Sequence, residues 1–468
     1  MVRIWLDVED LFQYAAAHPR PSGIQRVEYE LCRALAEHPR GRERIRFVRH
    51  DGAHNSFYPV PCEQFLAMYE GLISRPAEAA ERGPPRTAAA PHGALFQAGK
   101  KLAYRLSPAL RMPLTQAYVH QRASLSAGAD LLRAALGRAP SYRTPVSAAA
   151  AMAPPPPGAA EAFAREAAPG DVLAALGSPW FHPDYAGVIA GVQRDHGMRF
   201  ALLVYDLIPL RRPEWCDRPL TLLFNDCVAK MLPLADILLS ISRASAADVL
   251  RYAGDAGLHL RAPPQPIPMG TGFSVAAAPA VPRSKRLPPP GGYALIVSTI
   301  EARKNHALLF RVWRRLLEEL PPDQVPTLVF AGRIGWLVAD LMQQLRNADF
   351  LDGKIELLSD PTDAELAQLY EGCLFTLFPS FHEGWGLPVT ESLAFGRPCI
   401  ASGTTSLPEA GGALARYFDP DSASDALRVI REVIMDRPAL DRWQRQIVET
   451  FRPVPWSEAA QAVLDAVA

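Results

Sequence analysis

Apolar positions come in two rhythms along this chain: short unbroken runs, and longer stretches with an apolar residue every third or fourth place. The two alternate, as buried parallel strands alternate with amphipathic helices. In the first half, residues 2–8, 45–48, 172–176, 200–204 and 237–241 read as strands. Ile24, Val27, Leu31 and Leu35 set a helical period, residues 220–232 set another, and Ser242 caps a third through Tyr252. In the second half, 293–297, 327–331, 355–358, 373–379 and 398–402 read as strands. Helices are expected over 307–320, from Pro388 to Phe395, and over 423–435, 439–450 and 456–468. The expected fold class is α/β, two doubly wound Rossmann-like domains with their strand ends facing each other across a cleft.

Two segments interrupt the pattern. Residues 276–290, rich in alanine, proline and basic side chains, are expected to link a first domain (1–275) to a second (291–450), with a last helix over 451–468. Residues 75–160 contain Pro84-Pro85, Pro154 to Pro157 and runs of alanine. Between 82 and 160 the basic residues Arg82, Arg86, Lys100, Lys101, Arg105, Arg111, Arg122, Arg133, Arg138 and Arg143 face the single acid Asp130. This insert is either a solvated helical excursion or, over residues 80–145, a docking segment for an anionic membrane surface.

Composition narrows the function. A chain of 468 residues exceeds what one core usually supports, which agrees with two domains. Its 49 basic and 49 acidic residues cancel, so nucleic acid is not expected as a partner. No apolar run is long enough to span a bilayer, and Asp7, Glu9 and Asp10 break any signal-peptide core; the expected location is cytoplasmic or peripheral on the inner membrane face. Cysteines 32, 62, 216, 227, 373 and 399 form no C-x-x-C pair, so buried free thiols are expected rather than zinc or disulfides.

One stretch resists a packing explanation: Phe378-Pro-Ser-Phe-His-Glu-Gly-Trp-Gly-Leu-Pro-Val-Thr-Glu391. It runs from a strand into a helix whose start offers unpaired N–H donors, and Gly384 and Gly386 allow backbone to approach a ligand closely. Glu383 and Glu391 are placed to accept hydrogen bonds from sugar hydroxyls on either side of a phosphate. The plainer alternatives are a solvated loop carboxylate for Glu383 and a dipole-complementing acid for Glu391. Arg303 and Lys304, at another strand end, suit a diphosphate; singly they would be surface residues. Gly332-Arg333 ends the next strand. Early in the chain Ser22-Gly23-Ile24-Gln25-Arg26 either faces a ligand or is a turn capped by Ser22. Asp206, at the end of 200–204, either meets substrate or caps the next segment.

Together these residues resemble the retaining glycosyltransferases of the GT-B fold, family 4 (glycosyl transferases group 1), most strongly over 293–420. The segment from Glu383 to Glu391 resembles that family's E-x7-E motif. The resemblance implies that Glu383 contacts the donor sugar, Glu391 the ribose hydroxyls, and the amides of Gly384, Trp385, Gly386 and Leu387 the sugar and diphosphate. It implies Lys304 and Arg303 on the diphosphate, Gly332, Arg333 and Gly23 in the donor site, Asp206 on the acceptor side, and a last helix over 451–468 that crosses back to the first domain. The function implied is transfer of a hexose, mannose from GDP-mannose as the first choice, to a saccharide or lipid-linked saccharide in cell-surface polysaccharide synthesis. No cofactor and no metal are expected, the protein's cations replacing magnesium. The alternatives are a GT-B-fold nucleotide-sugar epimerase and a non-catalytic membrane or assembly module.

Overall fold

The computed structural model describes residues 2–18, 20–51, 56–74, 159–182, 184–216, 218–272 and 282–468. The basic insert read over 75–160 lies outside them except for its last two residues, as do residues 276–281 of the expected linker.

The first sheet has seven strands in the order β3-β2-β1-β4-β5-β6-β7. They are β1 (Ile4–Asp7), β2 (Ile45–Asp51), β3 (Ser56–Val60), β4 (Val172–Ala175), β5 (Arg199–Val204), β6 (Ile237–Ser240) and β7 (Gln265–Pro266). All neighbours pair parallel except β2 and β3. Side chains alternate between faces along each strand: Ile4 and Leu6 enter one core, Trp5 the other. Burial on both faces is why these strands read as continuous apolar runs.

The second sheet is wholly parallel, in the order β10-β9-β8-β11-β12-β13. Its strands are β8 (Tyr293–Val297), β9 (Thr327–Ala331), β10 (Ile355–Leu358), β11 (Phe375–Phe378), β12 (Cys399–Ser402) and β13 (Arg416–Phe418). Strand order reverses between β1 and β4 in one sheet and between β8 and β11 in the other. Those crevices are where open parallel sheets take ligands.

Two local features depart from the sequence expectation, and the placement of the last helix agrees with it. A helix, Glu9–Ala17, intervenes between β1 and the Gly23–Glu37 helix, so the first connection is not a simple glycine loop. Residues 282–290 dock on the second domain: Arg286 pairs with Glu365 at 2.5 Å, Ser284 N donates to Gln368 Oε1 (3.1 Å), and Leu287 is buried. The last helix, Trp456–Ala466, packs into the first domain's core through Trp456, Val463 and Leu464. Gly270 makes room for it, since a Cβ there would fall 2.1 Å from the Trp456 ring.

The β1/β4 crevice is filled by the protein's own acids. Asp7 accepts from Tyr185 Oη (2.6 Å) and meets His50 Nδ1 at 3.0 Å, while Asp10 accepts from Ser178 N (2.6 Å) and Oγ (2.7 Å). Glu28 is fully buried and neither of its oxygens has a donor among the described residues. Burial, then the neighbouring Asp10, push its carboxyl well above the usual range, which favours the protonated form and a hydrogen shared with Asp10. Gly177 is required beside them: a Cβ would lie 2.2 Å from Glu28 Oε2 and 2.3 Å from Asp10 Oδ2.

Candidate active site

The β8/β11 crevice is built differently. After β8 the chain makes one tight turn, Ala302–Lys304, closed by Asn305 in the left-handed region (φ 58°). The Asn305 side chain donates to Pro379 O (3.2 Å) and Pro420 O (3.0 Å), which fixes this turn against the end of β11. Lys304 Nζ thereby lies 2.6 Å from Glu383 Oε1 and Arg303 2.9 Å from the same oxygen. Arg303 also reaches Glu301 at 2.7 Å and donates to His382 O at 2.6 Å. Burial alone would raise the Glu383 carboxyl, but Arg303 and then Lys304 pull it down to about 2. The carboxylate is therefore ionised at any neutral pH. Two acids and two cations cancel, so Arg303 is committed to protein carboxylates and positions Glu383, while Lys304 has a single carboxylate partner.

Beyond Glu383 the turn leads into the Leu387–Ala394 helix, with Pro388 in its first turn. The N–H groups of Gly384, Trp385, Gly386 and Leu387 have no acceptor among the described residues. The carbonyl side is fastened instead: Ser406 Oγ stands 2.9 Å from both Glu383 O and Trp385 O. Four consecutive free amides at a helix start are the type of donor set that suits an anion.

The glycines answer packing demands as well. Gly386 has φ 109° and lies under Leu407, whose Cδ2 would be 2.5 Å from an added Cβ. A Cβ on Gly384 would strike Tyr205 O at 2.4 Å, so this glycine lets the end of β5 close onto the turn. Gly332, after β9, approaches Ser298 O so closely that a Cβ would lie 2.0 Å away. Arg333 follows it and makes no ion pair among the described residues. Gly23 is exposed across the cleft from Leu387, and a Cβ added to it would lie 3.8 Å from Leu387 Cδ1.

Glu391 sits in the Leu387–Ala394 helix, buried, and accepts from Tyr370 Oη at 2.7 Å. Burial raises its carboxyl to about 7 against that hydrogen bond and the pull of Arg26. Asp206 is half-buried behind β5 and accepts from Ile208 N (3.0 Å), so it caps the next turn while still facing Arg303. Burial raises its carboxyl and Arg303 opposes the rise.

Several residues at the cleft escape the motif reading. Glu409 accepts from Arg243 N (3.0 Å) and Ala244 N (2.9 Å), capping a first-domain helix from the second domain. His382 Nε2 meets Asp248 Oδ2 at 3.2 Å, and Asp363 pairs at 2.5 Å with Arg26, the last residue of the Ser22 to Arg26 stretch singled out from the sequence. His382 stands next to Glu383 and could have been flagged by that position; the others lie in unremarkable helices. One Asp-x-Asp spacing also escapes it, Asp419-Pro420-Asp421, in which Asp419 Oδ1 accepts Asp421 N (2.9 Å) in a turn. Among the described residues no group of His, Cys, Asp and Glu is placed to hold a metal ion, and no helix is long and apolar enough to cross a membrane.

Two Rossmann-like domains facing each other across a shared cleft define the GT-B architecture. Residues 279–449 match the family model described as glycosyl transferases group 1. By sequence the chain is 27% identical over 286 residues to the serotype-specific mannosyltransferase WbdA of Escherichia coli, covering 58% of this chain and 34% of that protein. It is 33% identical over 153 residues to the O-antigen chain mannosyltransferase B of Escherichia coli, covering 33% of this chain and 38% of that one. The chain thus spans little more than a third of these two curated relatives. By structure it is similar to Anabaena Alr3699/HepE, solved in complex with UDP, with a TM-score of 0.53 and 14% identity over 100% of this chain and 99% of that one.

Proposed function

We propose that this protein is a nucleotide-sugar-dependent hexosyltransferase of polysaccharide synthesis that retains anomeric configuration. The observation that carries the reading is the run of four unpaired amides, Gly384 to Leu387, next to Lys304 and the ionised Glu383. Transfer from such a donor expels a nucleoside diphosphate, so the main task is to stabilise charge developing on its phosphates. Preorganised N–H donors and a cation do so at no reorganisation cost. In this reading Lys304 and the amides hold the diphosphate, with Arg333 as a further cation and no metal required. Glu383 holds the donor sugar, fixed in place by Arg303, and Glu391 takes the ribose hydroxyls. Gly23 leaves room for the donor opposite Leu387. On a front-face course the departing phosphate accepts the acceptor's proton, and Asp206 orients the acceptor. Mannose from GDP-mannose is the first donor to test, because both relatives matched above are mannosyltransferases.

A thermal-shift panel of UDP, GDP and TDP should raise the melting temperature with one base preferred. Lys304→Ala and Glu383→Ala are each expected to lower transfer by about 10²- to 10³-fold in a folded protein. Full transfer in both variants would overturn the assignment. Docking of the basic insert on anionic membranes is a separate part of the proposal. Deleting residues 80–160 should abolish association with anionic liposomes, and unchanged association would refute it.

A further inference from the structure

A cavity of about 230 Å³ opens beside the candidate site, on the first-domain side of the cleft. Its two charged lining groups, Asp206 and Arg303, stand together where the reacting atoms are proposed to meet. Away from them the wall is apolar: Trp180, Phe224, Val228, Met231 and Leu232, with the Cys227 thiol among them. Trp215 and Trp336 line it from opposite domains, with Trp336 Nε1 donating to Trp215 O at 2.8 Å. Trp215 in turn stacks on Phe381 of the signature stretch at 5.2 Å. Trp215 thus connects the cavity wall to the signature stretch, while Arg303 joins the cavity to the charged end of the candidate site.

A sugar ring does not belong in the depth of this chamber. Its hydroxyls would find almost no partners, and an unpaired hydroxyl in apolar surroundings costs about 1–3 kcal/mol on the scale of protein variants. Apolar groups fit it. An engineered cavity of about 150 Å³ lined by Leu, Ile and Phe stays dry and takes benzene, so this larger chamber has room for an aryl group or a short alkyl chain. Donor groups do not compete for it, because the diphosphate amides and Lys304 lie on the other domain.

Resting on the transferase reading above, we propose that the chamber is an acceptor subsite for an apolar aglycone. The acceptor is a small glycoside whose accepting hydroxyl, at Asp206, is about one sugar ring away from an aryl or alkyl group seated between Phe224 and Val228. This places the enzyme early in chain building, on an acceptor whose sugar portion is still short, with the preceding reaction one that joins a first sugar to a hydrophobic alcohol.

The test compares methyl and benzyl glycosides of the same sugar, with mannose first, both as acceptors and by tryptophan fluorescence in the absence of donor. The wild-type protein should bind the benzyl glycoside at least tenfold more tightly and show the difference in KM rather than kcat. Val228→Trp, and the milder Val228→Met should the first fail to fold, fill the chamber and should bring the two glycosides together. Thermal shift by the preferred nucleoside diphosphate should persist in the same variants. Equal binding of the two glycosides by a wild-type protein that responds to nucleotide would overturn the subsite while leaving the transferase reading intact. So would a preference for benzyl that survives in a folded filling variant. Absence of any response to nucleoside diphosphates would instead remove the reading on which the subsite rests.

Discussion

The two sheets reverse strand order in the same way, yet their crevices have opposite contents. At β1/β4 the space is closed by Asp7, which accepts from Tyr185, by Asp10, which accepts from Ser178, and by Glu28, whose carboxyl burial and Asp10 push well above the usual range. At β8/β11 four backbone amides have no acceptor among the described residues and stand beside a lysine. A doubly wound topology offers two equivalent positions for an anion. In the first the protein's own carboxylates take the hydrogen bonds at the strand ends; in the second, on the proposed reading, the donors are kept for a ligand. The fold class therefore marks where a site can lie, and side-chain chemistry decides which of the two positions is one.

The largest effect that would sharpen this contrast concerns Glu391. Its carboxyl titrates near 7 in the folded protein, against a reference value of 4.5. Between those values the native state holds a proton that the unfolded chain has lost, so stability is full below the reference value and falls as pH rises toward neutrality. The loss is on the order of 3 kcal/mol. Glu391→Gln should flatten this dependence in denaturant titrations from pH 5 to pH 7.5, and an unchanged slope would assign it to other groups.

Next is closure. Gly384→Val would drive a side chain into Tyr205 O and against Ile241, where the first domain meets the turn. Transfer should fall about 10²-fold, as misplaced reacting groups do, while nucleotide still raises the melting temperature. Wild-type activity in this variant would mean that the turn does not need the end of β5. Third, on the filled crevice, Glu28→Ala should cost about 1–3 kcal/mol, because Asp10, though still held by Ser178, loses the shared hydrogen of Glu28 in a buried space. Glu28→Gln keeps an N–H for Asp10 and should recover most of it; equal losses in the two would deny the shared proton. The smallest effect serves as a reference: Arg428→Ala, which breaks exposed helical pairs to Asp425 and Glu432, should leave the melting temperature at the wild-type value.

The second domain was the more legible in sequence, and the reason is local. Lys304, Glu383, the glycines and Glu391 fall within two short segments that leave two strands, so a reader of the sequence sees both halves of the anion site intact. Strand runs read well for the same reason: β5, β8 and β9 match their expected spans because burial on both faces leaves no polar interruption. Helix Glu9–Ala17 was missed because its start, Glu9 and Asp10, looks polar; Glu9 is in fact buried against Arg49 at 2.6 Å, an ion pair no periodicity displays.

By itself the sequence determined the alternation of strands and helices, the division into two doubly wound domains, and the carboxylate–glycine–helix order of the stretch from Phe378 to Glu391, since each depends on residues near one another in the chain. Only the tertiary structure decided how charge is spent. Arg303 is taken up by Glu301 and Glu383, Glu391 is buried against Tyr370, Glu409 caps a helix of the opposite domain, and the apolar chamber gathers walls from separate segments. The physical reason is that pKa, pairing and cavity shape depend on which groups share a desolvated space, and residues far apart in sequence come to share one only when the chain folds.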